Sequence, residues 1–366
     1  DDLFLGINTT IYESLQEDYE DKYEYIFPNA TLSKNLINDQ LLGNLDLQSN
    51  LEVRNYDTNK LTSFFVNDFN WSSKNLFLDN GVNSKFLGNI RNINYEAKNI
   101  DLYKRDYTNE VHGALGLISK LNLEKENGSR KHSLIPKILL RFSPGSMRKE
   151  SSGSKLNPSK AFNLNKLDEK YNYEKSLSAT LGLDYKTKIN NFNEFDFSIA
   201  QVINQKENKK MASVTSMDEK LSDLVGSVSF KPNKKSNIKL NFAMDQNYQD
   251  INYNEVETNF NFDFISFDFN YLSEKKHIGN KNYFKTKVKL KNNDDGLFAF
   301  ETKRNLVTNS AEFYDLSYEY INDCLRAGLV YRREFYNDSE LEPENSLMFK
   351  VTLSTFGNVN SPNLAQ

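Results

Sequence analysis

The chain has 366 residues, 38% of them hydrophobic, with a mean hydropathy of −0.68 and a formal net charge of −4. That balance leaves no basic footprint for nucleic acid, and a single cysteine, Cys324, excludes an internal disulfide framework. No apolar stretch approaches the roughly 20 residues of a spanning helix, while 26 Phe and 20 Tyr against only 7 Pro argue against a disordered chain.

The sequence opens with Asp1-Asp2-Leu3-Phe4, without Met or a leader and already inside a strand pattern, so it reads as a segment of a longer chain. Val111, Leu115, Leu117, Leu121 and Leu123 then alternate with other residues. Gly113 and Gly116 fall inside that strand, where glycine marks bending or close packing. Pro136 interrupts the apolar run Leu134–Phe142, and a ladder-breaking proline there implies an edge, a bulge or a strained seam. The charged run Arg148–Lys155 reads as a solvated loop, or secondarily as a contact for anionic lipid headgroups.

Alternation resumes at Leu177, Ala179, Leu181, Leu183 and Tyr185, then at Phe195, Phe197 and Ile199. Leu224, Val228 and Phe230 follow, and after Pro232-Asn233 come Ile238, Leu240, Phe242 and Met244. Val256, Thr258, Phe260, Phe262 and Phe264 share one face; past Ile265-Ser266 the parity flips to Phe267, Phe269 and Tyr271, as a hairpin requires. Phe284, Thr286, Val288 and Leu290 oppose Lys285, Lys287 and Lys289, and the turn signal Asn292–Gly296 precedes Phe298 and Phe300. Runs of about 9–13 residues suit tilted membrane strands, and roughly eighteen of them are expected along the chain. Because such strands alternate lipid-facing apolar with lumen-facing polar residues, low hydropathy is compatible with a membrane.

Short connections fall near 189–192, 232–236, 264–266, 292–296 and 321–324. Longer ones fall at 145–174, 206–222, 246–253, 275–281, 304–310 and 336–344. This two-sided asymmetry predicts an all-β, antiparallel up-and-down transmembrane β-barrel with its short turns periplasmic. A soluble sandwich or solenoid also alternates, but with shorter strands and without that asymmetry. Cys324, in the Asn322-Asp323-Cys324 turn, would face the oxidising periplasm. It reads either as a spectator thiol or as half of a bridge to a cysteine outside this chain.

Little chemistry is visible. His112, His132 and His277 stand at no zinc-ligand spacing with one another or with Cys324, and no nucleophile elbow accompanies them. The expectation is a protein that is not an enzyme and needs no cofactor.

The segment Tyr318–Tyr336, which contains Asp323-Cys324 and Tyr331-Arg332-Arg333-Glu334-Phe335, resembles the C-terminal barrel region of the LptD family of LPS-assembly (organic solvent tolerance) proteins. Pro343-Glu344-Asn345-Ser346-Leu347 and Thr355-Phe356-Gly357 continue the likeness, as do Leu134–Gly145, Ala161–Leu167, Ser176–Tyr185 and Ser222–Gly226 upstream. The resemblance implies an outer-membrane barrel of about 26 strands. It further implies an LptE-like plug lipoprotein, a periplasmic jelly-roll that bridges to the lipopolysaccharide supply, and release of lipopolysaccharide sideways into outer membrane lipid. On that basis residues 1–366 are expected to be a partial barrel lacking the jelly-roll and the first strands. Cys324 would be tied to the absent N-terminal region, by one bridge where many members have two adjacent cysteines. The last strand, about Asn345 to Phe356, would be the lateral seam. Ser346, Met348, Lys350, Thr352 and Ser354 would face the lumen, and Leu347, Phe349, Val351 and Leu353 the lipid. The alternative function is a general outer-membrane porin or receptor barrel.

Overall fold

A computed structural model describes residues 3–14, 20, 22–56, 58–189, 193–275, 281–292, 296–322, 325–335 and 344–353. Among them are twenty strands and one three-residue 3-10 turn, Lys160–Phe162. The strands are β1 (Leu3–Glu13), β2 (Tyr23–Asp39), β3 (Gly43–Tyr56), β4 (Leu61–Ser72) and β5 (Leu76–Phe77). Next come β6 (Val82–Lys98), β7 (Thr108–Leu121), β8 (Leu123–Asn127), β9 (Arg130–Ser143) and β10 (Ser176–Ile189). They continue with β11 (Asn193–Asn204), β12 (Leu224–Asn233), β13 (Ser236–Met244), β14 (Ile251–Asn261) and β15 (Ile265–Glu274). The series ends with β16 (Lys281–Asn292), β17 (Gly296–Asn305), β18 (Ser310–Ile321), β19 (Leu325–Glu334) and β20 (Asn345–Leu353). Without the short β5 and β8, eighteen long strands remain, as the alternation predicts. Among the described residues no helix is long and apolar enough to cross a membrane, which says nothing about crossing by strands.

Contacts group the chain into two units. The first comprises 1–123, 134–183 and 199–224; the second 124–133, 184–198 and 225–366. In the second unit β13 to β20 pair antiparallel with their sequence neighbours. One rung runs Phe260, Phe267, Val288, Phe300, Leu316, Tyr331, Leu347. The adjacent rung, on the opposite face, runs Asn259, Asp268, Lys287, Glu301, Asp315, Arg332, Ser346. Apolar and polar rows thus separate cleanly, because side chains alternate at period 2. The polar row is stitched by Asn259 Nδ2 donating to Asp268 (2.9 Å), Lys287 to Glu301 (2.5 Å) and Arg332 to Asp315 (2.7 and 2.6 Å). Cross-strand opposite charges hold the register. The β14–β15 turn lies at 262–264, slightly ahead of its predicted place, so Phe262 and Phe264 belong to the turn and not to the strand face.

In the first unit β1 pairs with β2, β2 with β3, β3 with β4, β4 and β5 with β6, β6 with β7, and β7 with β9. The β7–β9 ladder ends at Lys120 and Lys137, one residue short of Pro136, and β7 itself ends at Leu121. Proline, lacking an N–H, therefore falls where the ladder with β7 breaks off, next to the Asn122 interruption between β7 and β8.

The two faces of this unit differ in an unusual way. Phe69, Trp71, Ile90, Leu115, Leu140 and Phe142 are exposed, while the polar-rich face is the buried one. On β10, Leu177 and Leu181 are exposed while Ser178 and Thr180 are buried. The cover is the long segment 144–175, joined by 205–223, so the core lies between a strand wall and its own loops. Burial sides and apolar sides are inverted relative to a soluble sandwich, as expected of a wall whose apolar face meets lipid.

Candidate functional site

The buried face is built from alternate residues of β3, β4, β6, β7 and β9. Phe64, Val66, Ile93 and Tyr95 form an apolar cluster on β4 and β6, against which Tyr103 and Tyr171 pack. Tyr171 stacks on Phe64 with ring centroids 3.7 Å apart, clamping the covering segment to the wall. Small residues permit the approach elsewhere. A Cβ on Gly116 would lie 2.7 Å from Leu164, and one on Gly182 would lie 2.8 Å from the Phe162 ring and 2.7 Å from the Ile199 carbonyl. Gly116 is thus explained by close packing. In the second unit Gly226 similarly accommodates the Phe242 ring.

Charge is buried beside this packing. Arg141, on β9, donates from Nε to the Leu164 carbonyl (2.5 Å), from Nη1 to Ser176 Oγ (2.8 Å) and from Nη2 to the Glu174 carbonyl (2.7 Å). Its Nη1 also faces Glu174 Oε1 at 3.3 Å, and Lys166 Nζ reaches the same carboxylate at 3.0 Å. Burial would raise the Glu174 carboxyl, but Arg141 and Lys166 outweigh it and hold it below the usual carboxylate range. Burial lowers the Lys166 ammonium, with Glu174 opposing and Arg141 reinforcing that shift. Neither charge could be buried without the other.

The run Arg148–Lys155 corrects the expectation of a solvated loop. Arg148 pairs with Glu110 at 2.6 Å and donates to the Tyr171 carbonyl. Glu150 is buried and accepts from Gly153 N (3.2 Å), Ser154 N (3.0 Å) and Ser154 Oγ (2.8 Å), as well as from Ser152 Oγ. Glu169 accepts from Ser151 N and Oγ (both 2.6 Å), Ser152 N (3.1 Å) and Asn172 Nδ2 (2.9 Å). Burial would raise Glu169, but these hydrogen bonds prevail and lower it. The segment folds because its carboxylates receive its own serine amides, a pattern invisible to strand alternation. Ser222 and Asp223 are buried too: Ser216 Oγ donates to Asp223 Oδ1 at 2.6 Å.

Among the other candidates, His112 stacks on Tyr173 and faces Glu110 at 3.4 Å, and His132 Nδ1 lies 2.9 Å from the Tyr185 hydroxyl. His277 lies outside the described residues, as do Cys324 and Ser354. Among the described residues there is no group of three potential metal ligands. On β20, Leu347, Phe349 and Val351 are exposed and oppose Tyr331, Leu329 and Ala327. Ser346, Met348, Lys350 and Thr352 alternate with them, opposite Arg332, Val330, Gly328 and Arg326. Leu353 closes the ladder opposite Leu325. Sequence reasoning missed Arg141, Lys166, Glu174 and the Phe64–Tyr171 clamp. The one signal available was a lone arginine inside the apolar stretch Leu139-Leu140-Arg141-Phe142.

The family described as LptD, LPS transport system D, matches residues 105–306, which takes in β7 to β17 and the covering segment 144–175. No curated protein matches the chain. Among solved structures, the siderophore receptor PirA from Acinetobacter baumannii is 9% identical with a TM-score of 0.40, over 96% of this chain and 73% of that one. The siderophore receptor PiuA from the same organism is 8% identical with a TM-score of 0.37, over 95% and 70% respectively. Since the family match spans more than half of an all-antiparallel, up-and-down β chain, this chain belongs to the LptD family, LPS transport system D, as a β-barrel protein of the outer membrane serving LPS transport.

Proposed function

We propose that this chain forms the barrel wall from which lipopolysaccharide is inserted into the outer leaflet of the outer membrane, released sideways at a seam that includes β20. The observation that carries the reading is the match across 105–306; β20, paired with β19 on one side, would supply the seam strand. Its Leu347, Phe349 and Val351 would meet lipid, while Ser346, Met348, Lys350 and Thr352 would line the lumen, continued by Leu353 and Ser354 on the respective faces. A strand at a seam must exchange hydrogen bonds with its neighbour without unfolding the rest, and exposed edges are otherwise avoided in a membrane.

The reading includes a periplasmic jelly-roll that supplies lipopolysaccharide, an LptE-like plug lipoprotein, and a covalent tie from Cys324 to a cysteine of that upstream region. Pro136, beside the last rung of the β7–β9 ladder, would contribute a local interruption of the strand pairing. Site-specific photo-crosslinkers tested in cells decide the seam. Adducts with lipopolysaccharide are expected from position 350 and not from position 271, on β15. Equal labelling at both positions, or ion conductance by purified protein with no effect on surface lipopolysaccharide, would instead indicate a porin or receptor barrel. For the covalent tie, gel mobility of the full protein that is indifferent to reductant and to Cys324→Ser would remove it.

A further inference from the structure

Where β9 ends and β10 begins, a cleft of about 370 Å³ opens between 142–147, 175–177 and 205–210. Three cations line it, Lys175, Lys206 and Lys210, against one carboxylate, Glu207, which lies 3.8 Å from Lys209 outside the cleft. None of the three lysines makes an ion pair among the described residues. Lys206 and Lys210 are exposed, but Lys175 is only 8% exposed, with its Nζ 5.2 Å from the centroid of the Tyr173 ring. Burial and the nearby Arg141 push the Lys175 ammonium below its usual value, a cost that a bound anion would offset. Buried cations are ordinarily paired, so this cleft holds a surplus of positive charge without a counterion of its own.

Phe142 and Pro144 also belong to a second cleft, of about 480 Å³, on the exposed apolar face of the same unit. Its main rung runs Leu45, Trp71, Gly88, Leu115, Phe142. Five strands at roughly 4.8 Å spacing make that groove about 19 Å long, room for one extended acyl chain. Gly88 and Gly113 form its floor. A Cβ on Gly88 would lie 3.2 Å from the Trp71 ring, and one on Gly113 would meet only the Asn89 carbonyl at 3.6 Å. Trp71 is fixed as the far wall by Nε1 donating to the Leu42 carbonyl at 2.8 Å. The basic cleft and the apolar groove thus adjoin at Phe142 and Pro144, a charged head beside a greasy slot. We propose that together they hold one anionic glycerophospholipid of the surrounding membrane, its phosphate at Lys175, Lys206 and Lys210 and an acyl chain along Phe142, Leu115 and Gly88. A lipid with many chains would leave most of them outside a groove one chain wide. The site lies on the apolar side of the wall, and it stands whether or not β20 is a seam.

The test places the full protein in phosphatidylcholine nanodiscs with equal traces of phosphatidylglycerol and phosphatidylcholine, each carrying a diazirine in one acyl chain. After irradiation, peptides covering 85–91 and 111–116 should carry about fivefold or more phosphatidylglycerol label than phosphatidylcholine label. Peptides of the lipid-facing row in β17 and β18 should show no such preference. Lys206→Ala combined with Lys210→Ala, both at exposed positions, should erase the preference, whereas Lys209→Ala should leave it intact. Gly113→Leu, whose side chain has open space to fill, should empty the groove of label from either lipid. Equal labelling of the groove by the two lipids in the wild-type protein overturns the proposal, as does a preference that survives the double lysine variant. Label that persists in the groove of Gly113→Leu also overturns it. The phosphatidylglycerol label should further survive an equimolar amount of lipopolysaccharide; its loss would hand the site to that lipid and end the assignment to a glycerophospholipid.

Discussion

Arg141 and Glu174 meet at 3.3 Å with side chains that are 0% and 3% exposed, tying strand β9 to the end of the segment that covers it. Because Lys166 shares the carboxylate, removing Glu174 strands two buried cations at once. Glu174→Gln should therefore destabilise the covered unit by about 3–5 kcal/mol, the cost of breaking a buried pair from one side. The check is limited proteolysis of folded protein, with cleavage within 144–175 rising well before the strands are lost. An unchanged cleavage rate would mean that the aromatic clamp and the glycine contacts suffice to hold the segment.

Two glycines of the same wall should respond oppositely to one methyl group. Gly182→Ala places a Cβ against the Ile199 carbonyl and the Phe162 ring, contacts below 3.0 Å that backbone and ring cannot readily relieve. A cost of about 1–3 kcal/mol is expected. At Gly113 the same Cβ finds only the Asn89 carbonyl at 3.6 Å, an ordinary contact, so Gly113→Ala should be neutral or slightly stabilising through its effect on the unfolded chain. Denaturation midpoints of the two variants in one detergent make the comparison.

Alternation revealed the strands, and the polar row from Asn259 to Ser346 shows why: period 2 is local, so it survives in the sequence of each strand. The covering segment was not legible in the same way. Its anchors are Arg141, Lys166 and Glu174, side chains brought together only by the fold, and its serines read as a soluble linker until Glu150 and Glu169 are seen to receive their amides. The burial sense was also hidden. Ser178 and Thr180 look like the solvent side of β10, yet both are buried, with Thr180 Oγ1 donating to the Ala161 carbonyl at 3.0 Å.

Acid should loosen the covering segment at its Ser151–Ser152 corner. Glu169 titrates below its ordinary value of 4.5 in the folded protein because the hydrogen bonds from Ser151 and Asn172 outweigh burial. A depressed carboxyl contributes its full stability above the unfolded pKa and loses it as pH falls through the lower, folded pKa. Amide exchange at Ser151 and Ser152, corrected for intrinsic pH dependence, should thus be flat above about pH 5 and rise below 4.5. Glu169→Gln should abolish that rise; persistence of the rise would assign it to another group.

Leu316 and Ser317 test which face of the wall meets lipid. Leu316 is 56% exposed in the apolar row between Phe300 and Tyr331, whereas Ser317 points to the opposite face, opposite Ala299 and Val330. An arginine on the lipid face near mid-bilayer costs about 2–4 kcal/mol, while lumenal positions tolerate charge. Leu316→Arg should consequently lower the yield of folded, heat-modifiable protein on refolding into lipid vesicles, and Ser317→Arg should leave it near the wild-type level. Equal tolerance at both positions would mean that the row Phe260, Phe267, Val288, Phe300, Leu316, Tyr331, Leu347 is not the membrane-facing one, and the assignment of β20's faces, which continues that row, would fall with it.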